Sequence, residues 1–220
     1  MAAAAADVAA LEDGKLDAPF AAVVGGGAPA DYAAVTANSR LGGGDTQLEI
    51  HIGYVTRRPF KGKGRVARQV ANEKQLMASL ERAGLAIQQS SGKQIHIKLS
   101  VIDLAGKPLH EQLDIINTMD VMVSMHGAAL AYGLLLPPHA GIVEMWPQEG
   151  MWRCYEHIAA WAGLSYRRWV NTDPARVKLM PDGGDGTEVD VDTVSAAVAE
   201  LVVEVIRSKQ RAKEEIGARR

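Results

Sequence analysis

The sequence predicts an α/β fold in which a parallel β-sheet carries helices on both faces. Short apolar segments recur along the chain and are separated by helix-length segments with apolar residues on one side. Strands that alternate with helices of this size are typical of βαβ units, whose strands run parallel. With 220 residues, 47% of them hydrophobic, the chain is long and apolar enough to bury the core of one domain.

The first half of the fold is predicted to contain two strands and two helices. A strand covers Leu48–Val55, and the next segment is a helix that Asn72 caps and Gly84 stops. The alternation of Ile95, Ile97, Leu99 and Val101 with polar residues predicts a strand over 95–101. Pro108 then opens a helix that reaches Ile116, because proline fits the first turn of a helix.

The second half repeats the alternation of strands and helices up to a turn-rich connector at residues 181–186. Its predicted elements are the strand Val121–Met125, a helix over 127–135, a strand over 142–145, a helix over 151–162, a strand over 165–169 and an amphipathic helix over 190–211. We therefore assign residues 47–212 to one Rossmann-like domain. We expect residues 1–46 to be an Ala/Gly-rich, weakly ordered lead-in and residues 213–220 a basic tail.

Composition excludes several classes of function. A net charge of −2 and an aromatic content of 5% argue against nucleic-acid binding, which needs a basic surface or stacking platforms. The single cysteine, Cys154, cannot form a disulfide within the chain and lacks a cysteine-nucleophile pattern. The histidines have no spacing of metal ligands, and the carboxylates form no spaced general acid and base. We predict neither a metal nor a cofactor.

The segment that follows the strand Val121–Met125 is predicted to bind an anion. His126 and Gly127 end the strand, and Ala128 and Ala129 begin the next helix, whose free N–H groups favour negative charge. Ligands of open parallel sheets also bind at the carboxyl ends of the strands. His126 would bind phosphate or carry a proton. The alternative is a core histidine that a backbone carbonyl satisfies.

A second candidate is the basic loop between the first strand and the first helix. Its cationic side chains are those of Arg57, Arg58, Lys61, Lys63, Arg65 and Arg68. Guanidinium groups suit phosphate oxygens and stabilise a departing diphosphate. The alternative is a solvated basic loop without a ligand.

Glu144 is the third candidate, because it lies at the end of a buried strand. An acidic residue at such a position contacts ribose in dinucleotide sites, which favours the same role here. The alternative is a glutamate that faces water or pairs with a nearby arginine.

Taken together and in order, these segments resemble glycosyltransferase family 61 over residues 53 to about 170. The matching pieces are Val55-Thr56-Arg57, Arg68, Asn72-Glu73, Glu111-Gln112, His126-Gly127-Ala128, Pro137-Pro138-His139-Ala140 and Val143-Glu144-Met145-Trp146-Pro147. The chain departs from the family pattern at Ala129, Ala131 and Tyr132, where the family has Gly, Thr and Asn.

The resemblance implies the C-terminal, nucleotide-sugar-binding half of a two-domain GT-B enzyme. It implies an inverting transfer, without an obligatory metal, of GlcNAc or a pentose from a UDP-sugar to a protein or polysaccharide hydroxyl. His126, Gly127, Ala128 and Ala129 would hold the diphosphate, Arg57 and Arg68 would neutralise it, and Glu144 would contact ribose. The expected partners are the UDP-sugar donor, a glycan or glycoprotein acceptor and a missing N-terminal acceptor domain.

Two further expectations follow from the resemblance. Family members act in the Golgi or ER, and we expect the same location although residues 1–24 show no secretory signal or anchor. The alternative function is a non-catalytic fragment that binds a nucleotide-sugar or a partner. The altered residues after His126 and the expected lack of an acceptor domain favour that alternative.

Overall fold

The computed structural model describes residues 47–60, 64–91 and 94–218. The lead-in predicted for residues 1–46, together with Lys61 and Lys63 of the basic loop, lies outside the described residues.

The described residues form two sheets. The strands are β1 (Leu48–Val55), β2 (Gln69–Val70), β3 (Ile95–Ile102), β4 (Val121–Met125), β5 (Gly141–Trp146), β6 (Ser165–Val170), β7 (Val177–Leu179) and β8 (Asp185–Thr187). Five of them form an all-parallel sheet in the order β3-β1-β4-β5-β6. This sheet confirms the predicted α/β class, and its strands lie where the short apolar segments predicted them.

Helices cover both faces of the large sheet, as predicted. They are α1 (Glu73–Ser90), α2 (Leu109–Ile116), α3 (Cys154–Ala162), α4 (Val191–Ala218) and a 3₁₀ helix (Ala128–Leu135). α1 and α4 pack on one face around Val121 and Val123. α2, α3 and the 3₁₀ helix pack on the other face, where Met122 points. Successive residues of β4 thus enter opposite cores, as the strand period requires.

The segment predicted as a helix over 127–135 is 3₁₀-helical instead of α-helical. It returns the chain between the neighbouring parallel strands β4 and β5 in only eight residues. Eight residues span roughly 16 Å as a 3₁₀ helix and roughly 12 Å as an α-helix. With the same eight residues, a 3₁₀ helix therefore spans more of the distance from the end of β4 back to the start of β5 than an α-helix would.

α1 begins directly after Asn72, as predicted, but its predicted stop is wrong. The side chain of Asn72 forms no capping hydrogen bond, because its amide exchanges hydrogen bonds of 2.8 and 2.9 Å with the backbone of Val189. Gly84 does not stop the helix, which continues to Ser90. A Cβ at Gly84 would lie 2.9 Å from Cγ2 of Ile97, so this glycine lets the helix approach β3 closely. At the other end of the domain, α4 continues to Ala218, past its predicted end near residue 211.

The predicted connector over 181–186 contains structure that the sequence did not reveal. β7 and β8 form an antiparallel pair, and β8 also pairs in parallel with β2, directly after the basic loop. Through this small sheet, residues from the C-terminal part of the chain hold the backbone of Val66 and Arg68 in the basic loop.

Asp120 joins three elements at the amino edge of the large sheet. Its side chain is 2% exposed. Oδ2 accepts from the N–H of His51 at 2.8 Å, and Oδ1 lies 2.7 Å from both Nε2 of His139 and Nζ of Lys209. Burial alone would raise the pKa of Asp120, but these three partners hold it below its ordinary value of 3.8. Its stabilising effect is therefore present above about pH 3.8 and is lost as the pH falls through the folded-state pKa.

We expect Asp120→Asn to lower the free energy of unfolding by about 2–3 kcal/mol near neutral pH, because Lys209 and His139 lose the buried negative charge that accepts their hydrogen bonds. The decline of stability at acid pH should also become shallower, because the variant has no carboxyl to protonate. Urea unfolding over a pH series measures both effects. Asp114→Asn on α2, where the side chain is exposed, is the control and should change neither. An unaltered acid limb in Asp120→Asn would contradict the role of this network.

Candidate functional site

The candidate site lies at the carboxyl edge of the large sheet, where three neighbouring strands end. β1 leads into Arg57, β4 leads into His126 and Gly127, and β5 carries Glu144. β4 lies between β1 and β5, so the ends of these strands meet at one edge. The edge is where open parallel sheets bind their ligands.

Glu144 fixes the orientation of His126. Its side chain has 0% exposure, and Oε1 lies 2.5 Å from Nδ1 of His126. Oε2 accepts a hydrogen bond of 2.5 Å from the hydroxyl of Tyr166 on β6. A carboxylate can only accept, so Nδ1 carries the proton of this bond and Nε2 remains for a ligand. Burial, followed by the hydrogen bond and the charge of Glu144, raises the pKa of Tyr166, which keeps its hydroxyl protonated.

The structure contradicts the alternative roles that the sequence left open for His126 and Glu144. His126 is satisfied by a carboxylate and not by a backbone carbonyl. Glu144 neither faces water nor pairs with an arginine. The pair instead forms a buried unit in which a charged acceptor holds the imidazole ring.

Aromatic side chains surround the ring of His126. Tyr155 on α3 lies edge-on with ring centroids 5.0 Å apart, and Trp146 at the end of β5 lies edge-on at 6.1 Å. The guanidinium of Arg168 lies 4.5 Å from the centroid of the Trp146 ring. The indole N–H of Trp146 is buried and has no hydrogen-bond partner among the described residues. These rings restrict water around His126 and limit its rotation.

Gly127 allows Arg57 to lie against the backbone that follows His126. A Cβ at this position would collide with Nη1 of Arg57. Nε of Arg57 donates to the carbonyl of Ala67 at 2.9 Å, which orients the guanidinium. The structure thus brings together the arginine after β1 and the His-Gly pair after β4, as the sequence indicated.

Arg68 lies near Arg57 and belongs to a loop that the small sheet holds in place. Burial and the adjacent charge of Arg68 lower the pKa of Arg57. Arg68 has a φ of +60°, and its backbone N–H donates to Oδ2 of Asp185 at 3.0 Å. Asp182 accepts from the N–H of Val66 at 3.1 Å and from the amide of Gln69. Two like charges are thus held close together by a fixed backbone, an arrangement that a bound anion would stabilise.

Glu73 holds the end of β1 and accounts for another arginine of the basic loop. One carboxylate oxygen accepts from the hydroxyls of Thr56 at 2.7 Å and Tyr54 at 3.2 Å. The other oxygen forms an ion pair with Arg58. Arg58 is therefore occupied, whereas Arg57 has only a backbone carbonyl as its hydrogen-bond acceptor among the described residues.

The altered residues after His126 lie in the 3₁₀ helix. Ala128 is exposed and Ala129 half-buried at its first turn, whose N–H groups have no acceptor within the helix. Tyr132 donates to Oε1 of Gln112 at 2.6 Å. Sequence reasoning missed Tyr166, Tyr155 and Asp185. Each comes from a different element and has no motif around it, so only the tertiary fold relates these residues to His126 or Arg68.

Within the described ranges, no three His, Cys, Asp or Glu side chains are grouped so that they could hold a metal ion. None of the described helices is both long and apolar enough to span a membrane.

The family model and the most similar relatives found by comparison agree on one family of glycosyltransferases. The model of the family described as Glycosyltransferase 61 matches residues 29–143. The chain is similar to the EGF domain-specific O-linked N-acetylglucosamine transferases of Drosophila melanogaster, with 32% identity over 63% of this chain, and of Xenopus laevis, with 31% identity over 48%. It is also 30% identical, over 41% of its length, to the Protein O-linked-mannose beta-1,4-N-acetylglucosaminyltransferase 2 of Tetraodon nigroviridis. These matches span 24%, 18% and 16% of the respective relatives.

We expect Glu144→Gln to lower the free energy of unfolding by about 2–3 kcal/mol. A glutamine offers one acceptor oxygen and one donor group, so it cannot accept from both Tyr166 and His126. Long-range ¹H–¹⁵N NMR of the imidazole should show a protonated Nδ1 in the parent chain and an altered tautomer in the variant.

The matched control is Glu49→Gln, which alters the exposed Glu49–His96 pair separated by 3.8 Å. It should affect neither unfolding nor the signals of His126. An unchanged His126 tautomer in Glu144→Gln would contradict the orienting role of Glu144.

Proposed function

This chain belongs to glycosyltransferase family 61, and from that premise we propose that its described domain binds the UDP moiety of a nucleotide-sugar donor for glycosyl transfer. The observation that carries the proposal is the contact between the Arg57 guanidinium and the backbone at Gly127, beside the oriented ring of His126. Arg68 adds a second guanidinium at the same edge. Cationic groups and free backbone N–H groups are what a diphosphate requires.

In the proposed reaction a hydroxyl oxygen of the acceptor attacks the anomeric carbon of the donor sugar. The bond between that carbon and the phosphate oxygen breaks, the configuration inverts and UDP leaves with the bonding electrons. Arg57 and Arg68 stabilise the negative charge that develops on the leaving diphosphate, and Nε2 of His126 donates to it in the doubly protonated form of the ring. Because the two guanidinium groups are already positioned there, we propose that the transfer needs no metal ion.

We give Glu144 a positioning role in place of the ribose contact expected from the sequence. Both of its oxygens already accept hydrogen bonds and the side chain has no exposed surface. Its influence on the donor would therefore act through His126. The backbone at Gly127, Ala128 and Ala129 keeps its proposed contact with the diphosphate.

The names of the relatives support GlcNAc as the transferred sugar and a protein hydroxyl as the acceptor. The wider family suggests a variant of this proposal, in which the transferred sugar is a pentose and the acceptor is a polysaccharide. We propose that the general base comes from the acceptor-binding half of a two-domain GT-B architecture, which faces the carboxyl edge. A location in the Golgi or ER lumen belongs to the same proposal.

A second candidate is a non-catalytic module that binds the nucleotide-sugar without transferring the sugar. Ala129, Ala131 and Tyr132 favour this candidate, because they replace residues that would offer a flexible backbone, a hydroxyl and an amide. The hydroxyl of Tyr132 is also occupied by Gln112. Glycosyl transfer or donor hydrolysis that Arg57→Ala abolishes would exclude this candidate.

We expect isothermal titration of the purified chain with UDP to give a micromolar-to-millimolar dissociation constant that EDTA does not change. Arg57→Ala and His126→Ala should each weaken binding by about 1–3 kcal/mol, because each removes a charged or oriented hydrogen-bond donor. Arg82→Ala, an exposed arginine on α1, serves as the control. A folded chain that releases no heat with UDP or UDP-sugars would refute the donor site.

We expect Gly127→Ala to weaken UDP binding roughly tenfold while the free energy of unfolding changes by less than about 1 kcal/mol. The new methyl group would collide only with the end of the flexible Arg57 side chain, which can swing away at the expense of the site. Titration calorimetry and urea unfolding separate the two effects.

The matched control for this glycine is Gly64→Ala, since a Cβ at Gly64 would meet nothing within 4 Å. Its UDP affinity should equal that of the parent chain. If Gly127→Ala bound UDP as tightly as the parent, the contact between Arg57 and Gly127 would play no part in donor binding.

A further inference from the structure

A polar cleft lies at the amino edge of the large sheet, opposite the candidate donor site. Its volume is about 330 Å³. Three parts of the fold enclose it: the chain that leads into β5, the start of β6 and the second half of α4. The lining residues are Pro138, His139, Ala140, Gly163, Ser165, Glu204, Arg207, Ser208 and Arg211.

Two arginines give this cleft an unbalanced positive charge. Arg207 and Arg211 are one helical turn apart on α4 and line the same space. Like charges at this spacing repel each other. Neither arginine forms an ion pair with any of the residues that the structure describes. The repulsion between these partly exposed guanidinium groups is modest, and an anion bound between them would relieve it.

The acidic groups nearest to the cleft are already neutralised. Glu204 forms an ion pair with Arg167 of β6. Asp120 lies beneath His139 and accepts from both His139 and Lys209 at 2.7 Å. Glu204 is the one carboxylate among the lining residues, and its ion pair is with Arg167, so that neither Arg207 nor Arg211 is paired with it.

The remaining polar groups of the lining are hydrogen-bond donors. Ser165 and Ser208 contribute hydroxyls, and neither hydroxyl has a partner among the described residues. Asp120 holds His139 by Nε2, which leaves the other ring nitrogen available. Two guanidinium groups with hydroxyls between them suit a tetrahedral oxyanion of double charge better than a single carboxylate, for which one guanidinium suffices.

We propose that this cleft binds a phosphate monoester dianion. The ligand accepts hydrogen bonds from Arg207, Arg211 and the two serine hydroxyls. The site is separate from the donor site, because the two lie at opposite ends of the same strands, and it does not depend on the proposed glycosyl transfer. The phosphate monoester can belong to a soluble molecule or to a lipid headgroup.

The test is a titration of the ¹⁵N-labelled chain with inorganic phosphate, followed by amide NMR. We expect saturable shifts at Gly163, Ser165 and Ser208. The double variant Arg207→Gln/Arg211→Gln should weaken this response at least tenfold. Ser208→Asp, which places a carboxylate in the cleft, should weaken it equally. Arg82→Gln on α1 changes the net charge by as much as Ser208→Asp, is the control for that variant and should respond like the parent chain.

Two further arms separate the sites and the ligand sources. Arg57→Ala should leave the response at Gly163 and Ser208 unchanged, because Arg57 lies at the opposite edge. Glycerol 3-phosphate that reproduces the response identifies a soluble ligand. Binding only to vesicles that contain phosphatidic acid identifies a lipid headgroup. Shifts confined to His126 and Gly127, or equal affinity in the double variant, would overturn the proposal.

Discussion

The candidate site depends on one buried carboxylate. Glu144 lies in the third of the three neighbouring strands that end at the site and has no exposed surface, so both of its oxygens must find donors inside the protein. His126 and Tyr166 supply those donors from the strands on either side. The hydrogen bond that satisfies one oxygen of Glu144 thus also fixes the orientation of the His126 ring at the carboxyl edge of the sheet. Without a carboxylate at position 144, only the packing of Tyr155 and Trp146 would restrain the ring of His126.

Local patterns predicted most of the fold. The central strands of the large sheet were predictable as short apolar segments because both faces of the sheet are covered, whereas the edge strand β3 was predictable from its alternation of apolar and polar residues. The failures have distant causes. Asn72 and Gly84 follow ordinary rules for helix ends, yet their roles are set by Val189 and Ile97 on other elements. The pairing of β2 with β8 joins residues more than a hundred positions apart and leaves no local signal.

The site was predictable to the extent that it follows from topology. Arg57, His126 and Gly127 come directly after strands, and parallel strands place such residues at one edge. The donor role proposed for them, and for Arg68, stays a prediction. The function of Glu144 could not be read from its position, because that function depends on Tyr166 in a strand without any motif. Tyr155 and Asp185 were missed for the same reason.

The hairpin of β7 and β8 has a consequence for the entropy of the proposed donor binding. Asp182 and Asp185 already hold the backbone of Val66 and Arg68 before a ligand arrives. A free arginine-rich loop would lose conformational entropy on closing around a diphosphate, and affinity would fall accordingly. Here part of that loss has occurred during folding, at Val66 and Arg68. In the proposed donor role, this part of the loop should bind and release UDP with little change in its backbone.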